Sequence, residues 1–240
     1  MNMHNSAPAR SPLHPHALAV AGLRTASDSQ VPGQILNSVS YQRTREMTID
    51  ELLLENRVVF LIGEINYSSA ARVMMQMLYL ENQKKGQEIA LYINSHGGVL
   101  DDTLAIYDTM RFLSSEIATY CIGRAYSGAS VILAAGTPGK RFILPHAKVM
   151  IHQPLGGVGG QTEDIRIQAE QIIKAKNSLA QVLAAHTGRT EKQVLADSER
   201  DKFFTAEEAK AYGIVDEVLA FQPPKPAAVP GTEPAAPAKK

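Results

Sequence analysis

The sequence predicts an α/β fold built on a mainly parallel sheet, with an added helical arm. Three observations carry that expectation. Short continuous apolar runs alternate with stretches of near-helical spacing, and each of the first three runs ends at a glycine or turn before a helix begins. Strand followed by helix, three times over, implies right-handed crossovers between parallel strands. A single long helical stripe then follows, too long for a crossover of the same kind.

The elements can be taken in order. Thr48-Ile-Asp-Glu51 is a capping box, with Thr48 as N-cap and Glu51 three residues on, and it opens a short helix through Leu54. The run from Arg57 to Ile62 ends at Gly63 and reads as a buried strand. Residues 68–82 place Ala71, Met74, Met75, Leu78 and Leu80 at near-helical spacing. Ile89 to Ile93 is a second strand, closed by Asn94-Ser-His-Gly-Gly98. A helix from Leu104 to Phe112 leads to a third strand at 117–122, and after Gly123 the chain enters a helix from Ser130 to Ala135, stopped at Gly136. Two strand-like runs follow, Arg141 to Leu144 and Lys148 to His152. The long helix runs from about Thr162 to His186, with Ile165, Ala169, Ile172, Leu179 and Leu183 on one stripe. Thr190-x-x-Gln193 and Thr205-x-x-Glu208 are two further capping boxes. No internal repeat interrupts this order.

The 240 residues, 45% of them hydrophobic, suffice for one compact domain with tails. Residues 1–30, with Pro8, Pro12 and Pro15 among Ser, Ala and His, read as a flexible N-terminal extension or a propeptide. Residues 222–240 are Pro/Ala-rich and read as a disordered tail, which leaves 31–221 as the domain. His4, His14 and His16 have no Cys or carboxylate neighbours to complete a metal site. Lys+Arg and Asp+Glu number 24 each, so the formal net charge is zero and there is no basic stripe for nucleic acid. Cys121 is the only cysteine, which excludes an intrachain disulfide and a cysteine-based metal cluster. Its apolar neighbours make it a small buried side chain rather than a nucleophile. No apolar run reaches the length of a membrane span, and no secretory signal opens the chain, so a cytoplasmic protein is expected.

Two junctions look suited to chemistry. Gly97-Gly98 follows a strand, and adjacent glycines there can aim backbone N–H groups into a crevice, although a plain tight turn has the same pattern. Gly123-Arg-Ala-Tyr-Ser-Gly-Ala-Ser130 is a strand-to-helix junction, where a serine sits near a helix N-terminus as a nucleophile or as an ordinary N-cap. Ser127 and Ser130 qualify equally. His152 ends an apolar strand and is placed to act as a general base, ahead of His96, His146 and His186. Spacing does not separate Asp201 from Asp197 or Asp164.

At these residues the chain resembles the proteolytic subunits of the ATP-dependent Clp protease family. Tyr92-Ile-Asn-Ser-His-Gly-Gly98, Ile106-Tyr-Asp-Thr-Met110, Ala134-Ala-Gly136 through Gly139-Lys-Arg141, Met150-Ile-His-Gln-Pro-Leu-Gly-Gly157 and Glu199-Arg-Asp201 with Phe203 carry the likeness, which runs from about residue 35 to about 220. The resemblance implies a crotonase-like α/β fold with parallel sheet layers and a protruding helical handle. It implies Ser127 as nucleophile, His152 as general base and Asp201 as the acid that orients it, with the backbone N–H groups of Gly98 and Gly128 as oxyanion donors. It implies an endopeptidase acting on unfolded polypeptides inside stacked heptameric rings of self or paralogous subunits, with Arg200 coupling the rings to the triad. The Gly-rich run 155–160 and the helix after it would form the handle, and residues 31–47 an axial gate. Tyr92, Phe112, Phe142 and Leu219 would dock an ATP-driven AAA+ unfoldase of the ClpX, ClpA or ClpC type. No cofactor or metal is expected in this chain, and ATP would be used by the partner, since no Gly-x-x-x-x-Gly-Lys loop is present.

The chain departs from the family pattern at three places. It has Ser127-Gly-Ala-Ser130 where the family has Ser-Met-Gly-Ala, His96 where the family has proline, and Ala90 in place of an aromatic residue. A glycine at 128 is expected to loosen the turn that carries the oxyanion donor. Two rival functions follow: a weakly active or structural ring subunit beside a more active paralogue, and a crotonase-type acyl-CoA enzyme.

Overall fold

The computed structural model describes residues 47–154 and 159–220. The expected N-terminal extension, the axial gate up to residue 46, most of the 155–160 run and the 222–240 tail lie outside them. Within the described residues the elements are α1 (Ile49–Glu55), β1 (Val58–Ile65), α2 (Tyr67–Gln83), β2 (Ile89–Gly98), α3 (Leu100–Phe112), β3 (Ile117–Tyr126) and α4 (Gly128–Ala134). There follow β4 (Arg141–Ile143), β5 (Lys148–Ile151), α5 (Thr162–Thr187), α6 (Glu191–Asp197), β6 (Lys202–Phe204), α7 (Ala206–Tyr212) and β7 (Glu217–Val218).

The sheet runs β1-β2-β3-β4-β7, all parallel, as the alternation of strands and helices predicts. It forks at β3: Thr119 to Cys121 pair with β4, whereas Arg124 to Tyr126 pair with β5, which in turn pairs antiparallel with β6. The fork separates the ends of β4 and β5 and leaves a crevice at the C-terminal end of β3, the usual location for ligands in open α/β sheets.

Strand β2 shows how the layers arise. Its odd-numbered residues Ile89, Leu91, Ile93 and Ser95 are buried under the helices, in the period of two that a strand dictates. The even-numbered face carries Tyr92, which stacks between Phe60 of β1 and Tyr120 of β3 at centroid distances of 5.5 and 4.6 Å, and Tyr120 continues the ladder to Phe142 of β4 at 4.9 Å. These four rings are in mutual register across the parallel strands.

Local signals set the helix starts. The capping boxes at Thr48, Thr190 and Thr205 are all formed, each threonine hydroxyl accepting from the residue three on. A fourth, Asn66 with Ser69, caps α2. Arg141 ties the distal side together. Its guanidinium donates to the carbonyls of His186 and Gly213 at 2.8 and 2.9 Å and to the Asp216 carboxylate at 2.5 and 2.9 Å. Burial raises the Asp216 carboxyl, but Arg141's hydrogen bonds and charge outweigh it and leave that group below its ordinary value.

Helix α5 is 26 residues, about 39 Å long at 1.5 Å per residue. Its only buried residues are Ala180 and Leu183, near the C-terminal end, while Ile165, Ile167 and Ile173 are exposed. It is therefore an arm that leaves the core, as expected. Among the described residues no helix is long and apolar enough to cross a membrane.

Candidate active site

The β3–α4 junction is a strained elbow. Ser127, the residue between strand and helix, has φ 54° and ψ −126°, one of two non-glycine residues with positive φ among those described. Such a conformation costs on the order of 1–3 kcal/mol and persists only where neighbours impose it. Here the Ser127 N–H donates to the Met150 carbonyl of β5 at 2.9 Å. The Ser127 carbonyl accepts from the N–H of Ser130 at 2.9 Å and from its hydroxyl at 2.6 Å. The two serines are placed differently: Ser130 is 1% exposed with its hydroxyl bound to the elbow, whereas Ser127 lines the crevice.

His152 leaves β5 beside the elbow. Its Nε2 lies 2.9 Å from Ser127 Oγ, and its Nδ1 lies 3.2 Å from Asp201 Oδ1. Asp201 sits in the loop between α6 and β6. The other two acids are placed elsewhere: Asp197 accepts from Tyr212 at 2.9 Å and from Lys202 at 2.5 Å, and Asp164 lies in the first turn of the arm. His186 pairs with Tyr107 at 3.2 Å, and burial lowers its pKa. Cys121 is fully buried in β3, and that burial pushes its thiol up to about 12, so it stays neutral.

The loop that carries Asp201 is tethered by Gln153, which the sequence pattern did not single out. Its N–H donates to the Ser198 carbonyl at 2.6 Å and its side-chain amide to the Glu199 carbonyl at 3.1 Å, while its amide oxygen accepts from Lys176 of α5 at 2.9 Å.

The two candidate donors, Gly98 and Gly128, line one cavity of about 460 Å³ together with Ser127 and His152. Only glycine fits at 98, where a Cβ would lie 2.0 Å from the Ile65 carbonyl oxygen of β1. Gly97 (φ 87°) lets β2 approach the elbow, since a Cβ there would lie 2.7 Å from that of Ser127. Gly128 is buried at the first position of α4, where helical N–H groups have no intrahelical acceptor. A Cβ on it would lie 2.3 Å from Thr103 Oγ1, so no larger residue fits there with Thr103 in place. His96 and the apolar Leu179, Ala180 and Leu183 of α5 complete the cavity wall.

Arg200 and Asp201 share a second, shallower cleft with His152. Tyr92 and Phe142 belong to the aromatic ladder, whose other rings, Phe60 and Tyr120, were not anticipated because cross-strand register is invisible in a single run. Phe112 ends α3 at 82% exposure, and the Leu219 N–H donates to Ile143 of β4 at 2.9 Å. Among the described residues no group of three or more His, Cys, Asp or Glu is placed to hold a metal ion.

An α/β elbow presenting a serine to a histidine, itself paired with an aspartate, defines a site of the serine-hydrolase class. Residues 41–222 match the Clp protease family. A relative from Rhodopirellula baltica, an ATP-dependent Clp protease proteolytic subunit 1, is 50% identical over 184 residues, covering 77% of this chain and 81% of that protein. The chain therefore belongs to the Clp protease family, and it is a serine peptidase.

Proposed function

We propose that this chain is the proteolytic subunit of an ATP-dependent Clp protease, cleaving unfolded polypeptides with Ser127, His152 and Asp201 as its triad. The carrying observation is the Ser127 Oγ to His152 Nε2 contact of 2.9 Å, with the opposite ring nitrogen 3.2 Å from Asp201. In this reading Ser127 Oγ attacks the scissile carbonyl carbon as its proton passes to His152 Nε2. The carbonyl oxygen becomes an oxyanion held by the N–H groups of Gly98 and Gly128. His152 then returns the proton to the departing amine nitrogen, leaving an acyl ester on Ser127. Water, deprotonated by His152, attacks that ester; the Ser127–acyl bond breaks, and Ser127 regains its proton. Asp201 accepts the Nδ1–H throughout and stabilises the imidazolium.

Several observations support the assembly. Asp201 is 59% exposed on its side chain, and α1, α2 and α5 leave Ile49, Leu52, Met75, Leu78, Ile167 and Ile173 in solvent. Exposed apolar side chains on several helices suit subunit contacts. Stacked heptameric rings would cover it, with Arg200 at the ring junction, and the chain would work in the cytoplasm. The face around Tyr92, Phe142, Phe112 and Leu219, extended by Phe60 and Tyr120, would receive an AAA+ unfoldase, which would use the ATP.

Labelling with a fluorophosphonate probe tests the site. The expected result is a label on the full chain that Ser127→Ala abolishes and Ser130→Ala retains; loss with Ser130→Ala alone overturns the assignment. A chain that assembles but neither takes the label nor cleaves unfolded substrate with an unfoldase would instead fit a structural ring subunit.

A further inference from the structure

The oxyanion turn is braced by a residue outside the triad. Thr103, in the first turns of α3, is fully buried yet lines the cavity with Gly98, Ser127 and Gly128. Its hydroxyl donates to the Val99 carbonyl at 2.9 Å, and Val99 directly follows Gly98. The other side of Thr103 faces Gly128. A Cβ on Gly128 would lie 2.3 Å from Thr103 Oγ1, 3.0 Å from its Cγ2 and 3.2 Å from its Cβ. One side chain thus touches the backbone beside both candidate donors. It cannot rotate away, because it is β-branched, hydrogen-bonded to the preceding turn and enclosed.

We propose that Thr103 is a positioning residue for the oxyanion hole, and that positions 103 and 128 form a size-complementary pair. Thr103 occupies the volume a side chain at 128 would need. By filling it, Thr103 fixes the first turn of α4 and keeps the Gly128 N–H aimed into the cavity. The inference rests on the reading of Gly128 as an oxyanion donor.

A double-mutant cycle with Gly128→Ala and Thr103→Ala tests it, read by kcat and KM on a fluorogenic peptide, by the rate of fluorophosphonate labelling and by the melting temperature. Gly128→Ala is expected to lower kcat about a hundredfold with KM little changed, the loss seen for one displaced donor. Thr103→Ala should lower kcat about tenfold at unchanged KM, because the donor is loosened rather than removed. Combining them should recover at least about tenfold of the Gly128→Ala loss, since the clash is relieved. A labelled parent whose variants are additive, or whose Gly128→Ala form is fully active, overturns this inference alone. A parent that takes no label overturns the catalytic reading and this one with it. Should Gly128→Ala fail to melt cooperatively, Thr103→Ala decides: unchanged kcat in a folded variant overturns the proposal.

Discussion

The two flanks of His152 are built differently. On one side Ser127 sits in a buried elbow, held by Met150 of β5, by both polar groups of Ser130 and by the Thr103 wall behind Gly128. On the other, Asp201 is 59% exposed in a loop whose ties to the rest of the site run through Gln153 to the Ser198 and Glu199 carbonyls. The serine is braced by the elbow's own backbone and Ser130, whereas the aspartate's loop depends on a tether that also touches the arm through Lys176. In the proposed mechanism this keeps the attacking group ready and leaves the orienting group open to adjustment.

The comparison breaks most completely at the serine: Ser127→Ala should lower kcat by about 10⁶-fold without changing the melting temperature by more than a degree or two, as judged by peptide hydrolysis and calorimetry. On the acid side Asp201→Asn should cost about 10⁴-fold, because the amide carries no charge to stabilise the imidazolium and its N–H can donate to Nδ1, holding the wrong tautomer. Away from the site, the fold has a weak point in Asp216. Asp216→Asn leaves the buried Arg141 guanidinium without its counter-charge, and about 3 kcal/mol of stability should be lost in denaturant titration. The sign with pH follows from the depressed carboxyl. Its contribution is complete above the ordinary carboxylate pKa of about 4 and disappears as pH falls through the lower folded value, so Asp216→Asn should flatten the acid limb of the melting curve. Gln153→Ala should reduce kcat about tenfold while labelling of Ser127 falls in step, since it frees the Asp201 loop without touching the elbow. The smallest effect is expected from Thr190→Ala, which removes the cap of α6 and should cost about 1 kcal/mol with kcat retained.

What could be read from the sequence divides along the range of the forces involved. The capping boxes at Thr48, Thr190 and Thr205 were legible because both partners lie within one turn. The parallel sheet was legible from the alternation of apolar runs and helices. The strand ends were not: β1 continues past Gly63 and β2 past Asn94 through register shifts that let glycines stay in the ladder, where a glycine in isolation reads as a stop. Strands β6 and β7, three and two residues long, exist only through pairing with β5 and β4. Within the site, Ser127 and His152 had local reasons to be suspected. Asp201 lies 49 residues from its partner, so no local signal sets it apart from Asp197; only the family resemblance and the folded loop do. Gln153 sits in a quoted motif without a role there, and Thr103 in none, because what matters is the carbonyl each binds and the space each fills.

The forked strand has one more consequence. Tyr120, in the aromatic ladder, and Ser127, at the elbow, lie on the same run of backbone, seven residues apart. At about 3.3 Å per residue that is roughly 23 Å of strand. Strand β3 is in effect a ruler, with the aromatic ladder near one end and the serine elbow at the other. If the proposed docking face receives the partner, a fully extended polypeptide needs about seven residues to span from that face to the elbow.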